Sequence, residues 1–101
     1  SAVVQFSKNK ILTDEDKLLI GISYLQLNNL SSAISVLAPI TVRENNFKQD
    51  AEYYLALAYL KNEDYDKALD LMQAIKSNPQ HVYHQKFSDK FIRKVRMLKW
   101  K

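Results

Sequence analysis

The sequence has no cysteine, one glycine and two prolines among its 101 residues. The absence of cysteine excludes a disulfide framework and any metal site built on thiolates. One glycine excludes a glycine-rich phosphate-binding loop. So few turn-forming residues also exclude a sandwich or barrel of many short strands. The sequence therefore predicts an all-α fold with short connections.

A long apolar run is also missing. The longest candidate, Leu18 to Leu25, is interrupted by Gly21 and Ser23 and is far shorter than a membrane span. No signal peptide is recognisable. Hydrophobic residues make up 47% of the chain, enough for an independent core. We expect a single soluble domain over residues 1–101, and the compartment is left open.

What is present is a repeat with a period of 35 residues. Small, aromatic and large apolar positions recur in one register. The equivalent positions of the two units are Gly21 with Ala56, Tyr24 with Tyr59, Ala33 with Ala68, Leu37 with Met72, and Ile40 with Ile75. Each unit is interpreted as two antiparallel helices, whose small residues allow the helices to approach closely.

Local signals mark where these helices begin and end. Turns are predicted at Asn28-Asn29 and at residues 62–64, and Pro39 is expected to end or kink the second helix. Helix starts are predicted by two pairs of residues at capping-box spacing, Thr13 with Asp16 and Asn46 with Gln49.

At these residues the sequence resembles the tetratricopeptide repeat family. The family's L-G-x2-Y step is matched by Ile20-Gly21-x2-Tyr24 and Leu55-Ala56-x2-Tyr59, and its A-x3-F step by Ala33-x3-Leu37 and Ala68-x3-Met72. The opening aromatic and the closing proline of the family pattern are absent. The resemblance implies two helical hairpins in a right-handed α-superhelix, with repeat 1 at residues 13–45 and repeat 2 at 46–80. Residues 1–12 are expected to be a helical remnant of a preceding repeat.

A basic capping helix is predicted over residues 81–101. Phe87, Phe91, Val95 and Leu98 have helical spacing on one face, with Tyr83 one turn earlier. Residues 86–101 contain 7 basic residues and one acidic residue, whereas residues 1–85 contain 8 and 10. The candidate basic surface consists of Lys86, Lys90, Arg93, Lys94 and Arg96. It is interpreted as a solvated helix face, or else as a contact for nucleic acid or an anionic membrane.

The first helix of each unit is apolar on nearly every side, and such a helix is expected to be buried on every side. One stripe forms the hairpin core. The other stripe is placed by the family resemblance in a concave groove that binds partner segments, and it consists of Leu18, Ile22, Leu25, Tyr53, Leu57 and Leu60. Its occupant is either another protein segment, the chain's own termini, or a second copy. The apolar character disfavours capture of a C-terminal carboxylate, which other family members achieve with Lys and Asn.

No catalytic constellation is recognisable. His81 and His84 are interpreted as ordinary surface residues, and the carboxylates of residues 14–16 and 64–70 as helix-start and outer-face charges. No metal site, cofactor or enzymatic activity is predicted. The sequence instead predicts a protein-protein interaction or scaffolding module of a larger protein. The alternative is a basic module that docks its C-terminal helix on an anionic membrane or nucleic acid.

Overall fold

The structure is a computed structural model that describes residues 11–100. In this range the chain forms five α-helices and no strand. The helices are α1 (Asp14–Gln26), α2 (Leu30–Leu37), α3 (Lys48–Lys61), α4 (Tyr65–Lys76) and α5 (Asp89–Lys99), and a 3₁₀ helix (Ala38–Val42) follows α2. The predicted all-α class is therefore confirmed. The predicted N-terminal helical remnant falls mainly on residues 1–10, which lie outside the described residues.

The start of α1 is fixed by the predicted capping box. The Thr13 hydroxyl accepts from the Asp16 amide at 3.1 Å, and the Asp16 carboxylate accepts from the Thr13 amide at 3.1 Å. The second predicted box is wrong. Helix α3 begins after Phe47 without a side-chain cap, and the side-chain Oε1 of Gln49 instead accepts from the Val82 amide. This partner is 33 residues away, so spacing along the chain did not reveal it.

Both hairpins reverse through the same tight turn. Asn28 and Glu63, which are 35 residues apart, have φ values of 61° and 62°. In each turn the next amide donates back to the tyrosine carbonyl, from Asn29 to Tyr24 at 2.8 Å and from Asp64 to Tyr59 at 2.9 Å. Each turn thus combines a left-handed residue with a hydrogen bond from the next amide to the carbonyl five residues earlier. This is the pattern of a Schellman-type helix ending. The predicted turns are confirmed, and the repeat extends to their backbone conformation.

The close approach predicted at Gly21 is confirmed. A Cβ atom at Gly21 would lie 2.4 Å from Cδ2 and 2.6 Å from Cγ of Leu37, which is completely buried. Helix α2 ends at Leu37, and Pro39 lies in the first turn of the 3₁₀ helix, as its ring favours. The core has two clusters, one centred between α1, α2 and α3 and one between α3, α4 and α5.

The closing helix is shorter than predicted. Residues 77–88 form turns, and α5 begins at Asp89, where the Ser88 hydroxyl accepts from the Phe91 amide. The predicted stripe is partly wrong. Phe87 and Val95 are buried, but the helix packs through Ile92, whereas Phe91 is 37% exposed and Leu98 is 41% exposed.

Candidate functional site

The six predicted groove residues have different environments. Leu18 and Leu25 are buried in the first core cluster, so they have little surface to offer a partner. Ile22 is half-buried against the same cluster. The other three residues lie on α3 and are half-buried, namely Tyr53, Leu57 and Leu60. Partner binding by the six residues stays a prediction, and it now depends mainly on Ile22 and the residues of α3.

Leu57 lies where the two hairpins meet. It packs against both core clusters and still keeps part of its side chain exposed. Elsewhere on α3, Leu55 and Ala58 are buried in the first cluster. Helix α3 therefore places apolar side chains both in the core and at the surface, whereas its nearly all-apolar sequence predicts burial on every side.

Tyr83 covers one groove residue. Its ring stacks on Tyr53 with the ring centroids 4.4 Å apart and an interplanar angle of 5°. Its hydroxyl donates to the Asp50 carboxylate at 2.6 Å. This hydrogen bond, together with burial, raises the pKa of Tyr83 well above its ordinary value. The segment after α4 thus closes over the first turns of α3, while Leu57 and Leu60 lie further along the helix.

His81 is not the ordinary surface residue that the sequence suggests. It is 4% exposed, and its Nδ1 accepts from the Tyr83 amide at 3.1 Å. The ring proton therefore lies on Nε2, which donates to the Glu52 carboxylate at 2.9 Å. His81 and Glu52 also line a polar cleft of about 510 Å³ beside α3. The two residues are 29 positions apart, so no local pattern in the sequence marks their contact.

A row of aromatic rings leads from α3 to α5. Phe87 lies 5.7 Å from Tyr53 and 6.0 Å from Phe91, measured between ring centroids. Phe91 and Leu98 are seven residues apart, so they share one face of α5 beside the buried Ile92. Their helical spacing predicts burial in the core, but the structure leaves both partly exposed.

The five residues of the candidate basic surface are all exposed on α5 or just before it. None of them makes an ion pair within residues 11–100. The two ion pairs that hold α5 to α4 use other residues, Lys76 with Asp89 at 3.2 Å and Lys99 with Asp66 at 2.5 Å. The charges of the basic surface are therefore not neutralised by ion pairs within the described chain.

No group of three or more His, Cys, Asp or Glu side chains within residues 11–100 is arranged to hold a metal ion. Nor is any of the described helices long and apolar enough to cross a membrane.

Comparison with known proteins identifies the repeat. The tetratricopeptide repeat family model matches residues 50–81, which comprise most of α3, all of α4 and the first residues of the turns after it. This match supports a tetratricopeptide-repeat-like helical family for the chain. The match coincides with the second of the two units that the 35-residue period defines. No curated protein and no solved structure matches the chain significantly.

The tetratricopeptide repeat match indicates a general class of function. Repeats of this kind are in general protein-protein interaction modules that bind proteins or peptides, and they are in general not enzymes. Their stacked hairpins form an extended concave surface that serves as the binding face.

Proposed function

We propose that the chain is a non-enzymatic interaction module that binds an apolar segment of another protein along α1 and α3. The observation that carries the proposal is the position of Leu57, which joins both core clusters and keeps an exposed surface. Ile22 packs against the first cluster and Leu60 against the second, and both are also only half-buried. The tetratricopeptide repeat match supports a protein or peptide as the ligand.

The energetics favour an apolar ligand over a charged tail. Burial of apolar surface contributes about 25 cal/mol per Å², so three such side chains supply several kcal/mol before the cost of association. No Lys or Asn is present among the six groove positions to hold a terminal carboxylate. We define the groove from here on by its accessible residues, Ile22, Leu57 and Leu60.

The test compares matched leucine substitutions. Leu60→Asp places a charge in the groove, whereas Leu27→Asp makes the same change at a 74% exposed position in the turn after α1. We expect a captured partner protein to be lost with Leu60→Asp and kept with Leu27→Asp, measured by affinity capture and mass spectrometry. Circular dichroism checks that both variants fold, and Leu57→Asp provides an independent groove variant.

The alternative occupants give different results. If Leu60→Asp and Leu27→Asp retain the same partners, the groove is not the binding site. If the wild-type chain captures only itself, and light scattering shows a dimer that Leu60→Asp dissociates, then a second copy fills the groove.

A further inference from the structure

Helix α5 has an outward side that takes no part in the core. Ile92 and Val95 are both 2% exposed and mark the side that packs in the second core cluster. Because each residue turns an α-helix by about 100°, Lys90 and Met97 lie on the side opposite to these two. We define the outer face of α5 by five exposed residues that are turned away from the core, namely Lys90, Arg93, Lys94, Met97 and Trp100.

The charge of the outer face is positive and is not balanced within the described chain. Lys90, Arg93 and Lys94 make no ion pair among residues 11–100. The one acidic residue of α5, Asp89, lies at the start of the helix and pairs with Lys76 at 3.2 Å. Three cations on one side of a short helix attract an anionic partner, because no carboxylate of the same helix compensates them.

Two large apolar side chains stand among these cations. Met97 is 69% exposed and Trp100 is 79% exposed, and neither packs into a core cluster. The Trp100 ring is supported by Lys99, whose Nζ lies 5.1 Å from the ring centroid and also pairs with Asp66 on α4. The outer face therefore presents apolar surface to its partner as well as positive charge.

This mixture of side chains distinguishes between two kinds of anionic partner. A nucleic acid offers phosphates to the cations and a base to stack on Trp100, but it offers nothing to a methionine that lies opposite the core. A bilayer suits all of these side chains, because its anionic headgroups attract Lys and Arg while the boundary with the acyl chains buries Met97 and Trp100. A helix of 11 residues is long enough to lie in that boundary and too short to cross the bilayer.

We propose that the outer face of α5 is a peripheral docking site for membranes that contain anionic lipids. Lys90, Arg93 and Lys94 contact the headgroups, and Met97 and Trp100 enter the boundary between the headgroups and the acyl chains. None of these residues belongs to the groove on α1 and α3, so the two sites are tested separately.

The test measures co-sedimentation of the full chain with vesicles, together with the fluorescence of Trp100. Trp100 is the only tryptophan of the chain, so its emission reports on the outer face. Vesicles of phosphatidylcholine mixed with phosphatidylglycerol are compared with vesicles of phosphatidylcholine alone. We expect binding to the anionic vesicles only, with the Trp100 emission shifted to shorter wavelength and protected from a soluble quencher. Absence of binding at low salt, or binding that leaves the emission unchanged, overturns the proposal.

Two variants of equal charge change separate position from net charge. Lys90→Gln with Lys94→Gln removes two cations from the outer face, and we expect it to weaken binding to the anionic vesicles about tenfold. Lys17→Gln with Lys61→Gln removes two cations from α1 and α3, and we expect a change of less than about twofold at a salt concentration that screens distant charges. Circular dichroism checks that both variants fold. Equal weakening by the two variants overturns the proposal, because net charge then explains the effect.

A third variant isolates the apolar contact. Met97→Gln keeps the length and charge of the side chain but removes its apolar character, and we expect binding to the anionic vesicles to weaken about fivefold. If Met97→Gln binds these vesicles as the wild type does, the side chain does not enter the bilayer and the proposal fails. Tighter binding to a nucleic acid duplex than to the anionic vesicles, at the same salt concentration, makes nucleic acid the partner and also overturns the proposal.

Discussion

Glu63 occupies a backbone conformation that suits glycine or asparagine better. Its φ of 62° is left-handed, and a residue with a Cβ atom is strained by about 1–2 kcal/mol in this region. We predict that Glu63→Gly stabilises the protein by about 0.5–1 kcal/mol. The free energy gained by relief of strain exceeds the free-energy cost of the greater conformational entropy that glycine gives the unfolded chain. Urea denaturation measures the change.

The control for this prediction is Glu63→Ala, which removes the same carboxylate but keeps the Cβ atom. We expect no comparable gain from alanine. If alanine and glycine stabilise the protein equally, the effect comes from charge and not from backbone conformation.

Gly21 and Leu37 form a size-matched pair whose counterpart in the second repeat is Ala56 and Met72. Both large residues are completely buried, so neither moves freely. A Cβ atom at Gly21 would collide with the branched Cγ of Leu37 at 2.6 Å. We predict that Gly21→Ala destabilises the protein by about 1–2 kcal/mol despite the better helix propensity of alanine.

The second repeat suggests how to relieve this collision. Methionine is unbranched at Cγ and adapts to irregular space. We therefore expect Leu37→Met to recover at least half of the loss when it is combined with Gly21→Ala, as measured in a double-mutant cycle by urea denaturation. Strict additivity of the two changes would contradict the packing relationship between the repeats.

At the scale of elements, the segment between α4 and α5 is anchored on α3 by Tyr83. We predict that Tyr83→Phe destabilises the protein by about 1–2 kcal/mol, because the charged Asp50 carboxylate loses the hydrogen bond that the Tyr83 hydroxyl donates, while the ring stacking on Tyr53 is kept. Thermal and urea denaturation measure the loss. Tyr65→Phe is the control, since Tyr65 makes no side-chain hydrogen bond within residues 11–100.

This contribution has a defined pH dependence. The pKa of Tyr83 is raised in the folded state, whereas tyrosine in the unfolded chain titrates near pH 10. The stabilising effect of the raised pKa is therefore fully present below about pH 10 and decreases as the pH rises above it. The difference in free energy of unfolding between wild type and Tyr83→Phe should shrink in that range. A difference that is independent of pH would contradict the Asp50 contact.

The helices that belong to the repeat could be predicted well from the sequence. Their signals are local or recur at a fixed period: the capping box at Thr13, the turns around Asn28 and Glu63, and the small residue Gly21. The contacts of the closing segment could not be predicted, because His81 and Tyr83 find their partners about 30 residues earlier on α3. Nothing in the local pattern marks such pairs.

The face of α5 shows a second limit of sequence reasoning. Phe91 and Leu98 have the spacing of a buried stripe, but Ile92 is the residue that packs into the core. A shift of one residue rotates a helix by about 100°, so two apolar neighbours leave its orientation ambiguous. The turns of residues 77–88 and the ion pairs with Lys76 and Asp66 accompany the orientation that the structure shows.

At the scale of the whole molecule, the described surface includes an apolar part on the hairpins and a positive part on α5. The apolar part lies around Leu57, at the junction of the two core clusters. The positive part lies on α5. Tyr83 closes the first turns of α3, so it limits the accessible groove to the region from Leu57 onward and to Ile22 on α1.

The most direct test of this account is photo-crosslinking from defined positions. Benzoylphenylalanine replaces Leu60 in the groove or, as a control, Asp70 on the exposed side of α4, and crosslinked peptides are sequenced by mass spectrometry. The account predicts that position 60 captures an apolar segment of a partner protein and that position 70 does not. Equal capture from both positions, or capture from position 70 alone, would contradict the groove as the binding site.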